Sequence, residues 1–285
     1  MSDTQWILTA QCPSRLGTID AVTGLLYQNQ LYITELHSFD DCNSQRFFIR
    51  ANFRSDDRFD DKTFRNEFLE RANRFEMQWE LRPTNYRPKV VIMVSKFDHC
   101  LNDLLYQHKI GALNIEIPAI ISNHPDLEDL ARWYNIPYHR LPITADTKAQ
   151  QEAQVWQIIQ DSNAELVVLA RYMQVLSSDM CQKLEGWAIN IHHSLLPGFK
   201  GAKPYHQAWE KGVKTVGATA HYINDDLDEG PIITQEIEPV DHSYYPEDLI
   251  AKGRDIERMT LTRAVRYHVE QRVFLNGNRT VVFAD

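Results

Sequence analysis

The chain has 285 residues, with 30 Lys and Arg against 39 Asp and Glu, for a net charge of -9 with neutral histidine. That length exceeds the usual single-domain size, so two domains and a sizeable core are expected. The acidic balance argues against a nucleic-acid binder, which needs a basic face for phosphates. No apolar run approaches the roughly 20 residues that span a bilayer, and Met1–Trp6 has neither a basic n-region nor an apolar h-region, so a cytoplasmic location and no membrane partner are expected. Cys12, Cys42, Cys100 and Cys181 lie far apart with no CxxC pair. They are expected to be reduced structural thiols, and no metal centre is expected.

In chain order, Trp6–Ala10 has strand character, and Ile19, Val22 and Leu26 recur at helical spacing after the turn-like Cys12–Gly17. Leu31–Ser38 and Phe47–Phe53 predict two strands around a turn at Asp40–Ser44. Phe64, Phe68, Ala72 and Phe75 form a helical stripe, and a short strand, Met77–Leu81, follows. This order is βαββαβ, a ferredoxin-like arrangement. Arg82–Pro88, with two prolines and little that is apolar, suits a linker. Domains of 1–84 and 85–285 are therefore expected.

Val90–Val94 is a continuous apolar, mostly β-branched run of the kind buried on both faces of a sheet. A helix at Asn102–Lys109, a strand at Ile115–Ser122, a helical stripe of Leu127, Leu130, Ala131 and Tyr134, and a strand at Tyr138–Leu141 follow. A helix with Val155, Trp156 and Ile159 then leads to the strand Leu166–Ala170. Such alternation predicts a Rossmann-like, mostly parallel α/β sheet, with ligands beyond the carboxyl ends of its strands. Flexible Gly198–Gly201 precedes Pro204, which fits the first turn of a helix over Tyr205–Lys211. Leu249, Ile256, Ala264 and Tyr267 share one face of a long helix ending near Arg272, and Thr280–Phe283 closes as a short strand.

Two stretches carry chemistry: Trp187–Pro197 (WAINIHHSLLP) and His221–Pro231 (HYINDDLDEGP). In the first, Asn190 and His192 alternate within an apolar strand-like run, so both project from one face. Adjacent His193 points to the other face, so the two histidines are not expected to grip one ion. Asp228, in a polar loop between Thr215–Ile223 and Ile232–Ile237, can orient or charge a facing imidazole. At the end of the first strand of the second domain, Ser95–Leu101 lacks the glycine-rich turn of a phosphate site. A structural helix-start role is expected for His99.

Asn190-x-His192, Ser194–Pro197 and Asp228-x-Gly230-Pro231 resemble the signature of the folate-dependent formyltransferase family, whose catalytic trio is Asn, His and Asp. The whole chain is similar to the branch of that family that hydrolyses 10-formyltetrahydrofolate. The first block is similar to an ACT domain, which implies regulation by an amino-acid effector and homo-oligomer contacts. The resemblance further implies catalytic roles for Asn190, His192 and Asp228. It places the folate against Met173, Gln174, Val175, Leu176, Ile223, Asn224, Asp225 and His221. Gln174 and His193 depart from the purine-pathway transferases, which often carry Arg and Pro there. No cofactor is implied beyond the folate substrate.

Removing a formyl group puts negative charge on its oxygen, which Asn190 and protonated His192 can receive as donors. Whether His192 or Asp228 is the base stays open at this stage, since the pair titrates together. Without a phosphate loop, water is the expected acceptor, so the expected outcome is formate release that balances the one-carbon folate pool for purine synthesis. The alternatives are transfer to an amine such as glycinamide ribonucleotide, transfer to methionyl-tRNA, and a non-catalytic folate or amino-acid sensor.

Overall fold

Alternating burial builds the first sheet. In the computed structural model, which describes residues 4–198 and 204–284, the chain begins β1 (Thr4–Pro13), α1 (Thr18–Gln28), β2 (Tyr32–Asp41), β3 (Arg46–Ser55), α2 (Asp61–Phe75), β4 (Gln78–Pro83). The strands pair antiparallel in the order β2-β3-β1-β4, the ferredoxin-like arrangement. Phe64, Phe68 and Ala72 of α2 bury against Leu8, Ala10 and Phe53, as the stripe predicts. Asp60 starts that helix by accepting from the Lys62 N–H. Ile19, expected on the buried face of α1, is 48% exposed, and Thr18, Ala21, Val22, Leu25 and Leu26 face the core instead. The predicted turn at Cys12–Gly17 is shorter, because pairing with β3 continues to Pro13.

The second series runs β5 (Val90–Val94), α3 (His99–Lys109), β6 (Ile120–Ser122), α4 (Glu128–Trp133), β7 (Tyr138–Arg140), α5 (Lys148–Asp161), β8 (Leu166–Leu169). It continues α6 (Ser178–Leu184), β9 (Ala188–His192), α7 (Pro204–Lys211), β10 (Thr215–Tyr222), β11 (Ile232–Pro239), α8 (Pro246–Val269). The sheet order is β11-β10-β9-β8-β5-β6-β7. From β7 to β9 the pairing is parallel, while β10 and β11 are antiparallel additions at one edge. On one face Val91, Met93, Val167, Leu169 and Ala188 pack against Val155 and Ile159 of α5 and Met180 and Leu184 of α6. On the other, α3 and α8 pack together, and α8 covers β9 and β10. The strand predicted over 115–122 shrinks to β6, since Pro118 has no N–H for a ladder, and only an isolated bridge joins Lys89 to Glu116. Helix α6 is an addition that the sequence pattern did not announce. Of the segment 198–201, residues 199–201 lie outside the described part.

The last pieces, β12 (Val273–Asn276) and β13 (Arg279–Val282), form a hairpin. It corrects the expected domain limits: one unit takes the described residues up to Tyr86 together with those from Glu270 onward, and the other is Arg87–Val269. The reason lies in β3. Phe47, Ile49, Ala51 and Phe53 face the first core, so Phe48, Arg50 and Asn52 point to the opposite face, and Phe48 and Arg50 need cover. Phe274 meets Phe48 edge-on at 5.7 Å, and Phe283 stacks on His37 at 5.5 Å. Buried Arg50 donates to the Glu270 carbonyl at 3.1 Å, and the Asn276 amide donates to Asp41 at 2.7 Å. Among the described residues no helix is long and apolar enough to cross a membrane.

Candidate active site

Strand β9 places Asn190 and His192 on the face that carries Ala188, toward α5 and α6, as the two-residue period requires. His192 Nδ1 lies 3.3 Å from Asp228 Oδ1. Burial pushes the Asp228 carboxyl up, but the hydrogen bond and charge of His192 more than offset it and hold the group below the usual carboxylate range. Asp228 sits at φ +59, a left-handed conformation that a non-glycine residue keeps only when its surroundings impose it. His192 Nε2 is buried and has no hydrogen-bond partner among the described residues, so that nitrogen is left for a ligand.

Asn190 is oriented from behind. His221 Nδ1 lies 2.8 Å from the Tyr222 carbonyl and donates to it, which makes its Nε2 an acceptor. Burial keeps His221 neutral by lowering its pKa. The Asn190 amide donates to that Nε2 at 3.2 Å, and its second N–H remains for the cleft.

Two loops form walls. The loop after β10 closes on itself where the Tyr222 N–H donates to the Pro231 carbonyl at 2.9 Å. A Cβ at Gly230 would stand 1.7 Å from the Tyr222 oxygen, so only glycine fits. Asp225 turns away to α6, accepting from Ser178 Oγ and Gln182 Nε2, each at 3.0 Å. The Asn224 side-chain amide oxygen, Oδ1, is buried without a partner among the described residues. In the loop after β8, the Met173 N–H donates to Ser95 Oγ at 3.0 Å, and Ser95 donates to Asn123 at 2.7 Å. The Ser177 N–H donates to buried Glu152 at 2.9 Å. Ser95 thus serves as a brace, in the turn where a phosphate loop would stand.

Every residue predicted for the site lines one cleft of about 420 Å³, within the range of small-molecule pockets. Met173, Val175 and Leu227 offer it exposed apolar surface. Leu227, Arg171, Cys181 and Leu169 also line it, and the sequence reading assigned them no place there.

A charged cluster stands on the α3 and α8 side. Glu257 accepts from His99 Nε2 at 2.8 Å and from the Tyr205 hydroxyl at 2.9 Å, and lies 3.5 Å from Arg171 Nε. Burial raises the Glu257 pKa, but His99 and Arg171 outweigh it and hold it low. His193 is pushed down to about 4 by burial and by the Arg171 charge. His99 opens α3 and pairs with Glu257, the structural role predicted for it. Among the described residues His99, Cys100 and Glu257 come within 4.8 Å of one another, close enough to suit a metal ion. Burial raises the Cys100 thiol well above its ordinary value, and Arg171 already supplies the positive charge beside Glu257. Glu257 lies in the buried seam of α8, beside Ile256 and Thr260.

Chemically, two donors and a carboxylate line one cleft, groups of the kind needed to receive an oxyanion and manage one proton. The formyl transferase family model matches residues 88–265, more than half of the chain. A curated formyltetrahydrofolate deformylase of Corynebacterium sp. (strain P-1) is 55% identical over 279 residues, 97% of each chain. The crystal structure of a formyltetrahydrofolate deformylase from Pseudomonas putida KT2440 is 64% identical, with a TM-score of 0.93 over 98% of this chain and 100% of that one. A glycinamide ribonucleotide transformylase 1 from Symbiobacterium toebii is 27% identical, with a TM-score of 0.67 over 72% of this chain and 98% of that one. With relatives this similar along nearly its whole length, the chain belongs to the formyltetrahydrofolate deformylase family.

Proposed function

We propose that this chain hydrolyses 10-formyltetrahydrofolate to tetrahydrofolate and formate, and so adjusts the one-carbon folate pool that feeds purine synthesis. One observation carries the choice of hydrolysis over transfer: the likeness to a deformylase runs over 97% of the chain at 55% identity, while the transformylase likeness covers 72% at 27%.

The pterin lies between Met173–Leu176 and the 223–227 loop, against their apolar side chains and with Asn224 Oδ1 to accept from it. The formyl oxygen faces the free Asn190 N–H and His192 Nε2–H. As water adds to the formyl carbon, the oxygen becomes negative and both bonds strengthen; one such donor is worth on the order of 10²–10³ in rate. Asp228 holds the imidazole through Nδ1 and takes a proton from the attacking water, a contribution of roughly 10²–10⁴. The C–N10 bond then breaks, N10 takes up a proton, and formate leaves. Water, folate and these side chains balance the reaction without a further cofactor. The first unit, with its ferredoxin-like order, serves as an ACT-like module that takes an amino-acid effector and joins copies of the chain in the cytoplasm.

Purified protein given 10-formyltetrahydrofolate, with and without glycinamide ribonucleotide, tests the reading. Formate released without the amine is the expected result. Formyl transfer seen only with the amine would overturn it, and no turnover at all would leave a binding protein.

A further inference from the structure

We propose that Arg171, braced by Phe97 and Glu257, closes the side of the reaction centre from which an amine would approach, and so reserves the formyl group for water. This rests on the hydrolase reading above. Asn190 and His192 project toward the α5 and α6 layer, where the walls for folate stand. A second reactant bound beside the folate must come from the side of α3 and α8.

Among the described residues that side is largely occupied, and the hollow bounded there by His193 and Tyr205 measures only about 90 Å³. His193 turns from His192 toward Tyr205, with ring centroids 5.2 and 6.2 Å away. The Tyr205 hydroxyl donates to Glu257 at 2.9 Å, Glu257 lies 3.5 Å from Arg171 Nε, and the Arg171 guanidinium rests 5.1 Å from the centre of the Phe97 ring. The chain of contacts crosses the ends of β5, β8 and β9, beside the catalytic trio.

Arg171 is held there by more than packing. Its backbone sits at φ +63, a conformation that favours glycine, yet a long side chain occupies it. That side chain is 10% exposed and its carboxylate partner 2%. An arginine does not shed its charge in a protein, and moving it would take an always-charged partner from Glu257 in a low-dielectric interior, leaving it the His99 and Tyr205 hydrogen bonds. The neighbouring helix is cut away to make room: a Cβ at Gly253 would stand 2.1 Å from the Tyr205 hydroxyl. The barrier is therefore stiff. Water reaches the formyl carbon past it, and neutral His193 offers an acceptor on that side. Were an amine admitted, its nitrogen would bond to the formyl carbon, the C–N10 bond would break, and one amine proton would pass to N10.

Arg171→Gly removes the guanidinium at a position whose backbone suits glycine. With 10-formyltetrahydrofolate and a high concentration of glycinamide as the amine probe, the readout is the ratio of formylglycinamide to formate. The wild-type chain yields formate alone. Arg171→Gly raises the ratio at least tenfold, Arg171→Lys raises it less, and Phe97→Ala, which removes the face under the guanidinium, moves it the same way. A wild-type ratio in both Arg171→Gly and Phe97→Ala overturns the proposal; if Arg171→Gly does not fold, an unchanged ratio in Phe97→Ala alone overturns it. A folded Arg171→Gly that forms neither product also overturns it, because Arg171 would then act in the reaction itself. Failure of the hydrolase reading looks different: the wild-type chain would release no formate.

Discussion

Asp228 owes its place to a strained backbone and its charge to His192, so the carboxylate and the imidazole are one device. Asp228→Asn keeps the shape but removes the charge; His192→Ala removes a donor. Each is expected to lower kcat by about 10²-fold or more with an unchanged circular dichroism spectrum; wild-type kcat in either would remove that residue from the mechanism. His193 carries a pH dependence of its own. Its folded pKa, about 4, lies below the ordinary value of 6.5, so the folded chain binds fewer protons than the unfolded one between those values. Stability is then complete above pH 6.5 and falls as pH drops toward 4, by about 3 kcal/mol from this group. His193→Gln is expected to flatten the fall in urea midpoint across that window; an unchanged slope would assign it to other groups. The trio was legible in the sequence because Asn190 and His192 interrupt an apolar run. Arg171 and Glu257 were not, since one follows a strand as any loop residue does and the other looks like one more charge on a long polar helix.

At the scale of elements, the loop between β10 and β11 depends on one missing side chain. Gly230→Ala would drive a methyl into the Tyr222 carbonyl, opening the turn that carries Asp228. We expect a loss of about 2 kcal/mol or more in stability, the usual range for overpacking, with kcat falling further than thermal stability alone explains. Crystals of the variant with an unmoved Asp228 would refute this. Strands with strong patterns were legible: Val90–Val94 is β5 as predicted, and the Phe64–Phe75 stripe is α2. Short elements were less so. β6 has three residues, and its place is set by parallel pairing with β5 and β7, which a local pattern does not contain.

For the whole molecule, the division into units follows burial rather than chain order. Phe274 is 7% exposed and covers Phe48. Phe274→Ala is expected to cost roughly 3–5 kcal/mol, and the cost falls on the first unit alone. Hydrogen exchange would report faster exchange in β1 and β3 with β5, β8 and β9 unchanged; uniform loss across both sheets would show that the units do not unfold separately. The expected boundary at 84/85 lies close to the observed break, but nothing in the local pattern of 270–284 reveals that Phe48 and Arg50 await it.

That return of the chain to its first sheet sets an order on biosynthesis. Translation delivers the N-terminal part first, yet β3 keeps an uncovered phenylalanine and an arginine without its carbonyl acceptor until the residues beyond Val269 have left the ribosome. All the strands of the second unit's sheet are available before then. The half made first is therefore the half finished last, and a nascent chain halted near Val269 would show a holding chaperone one defined patch, centred on Phe48.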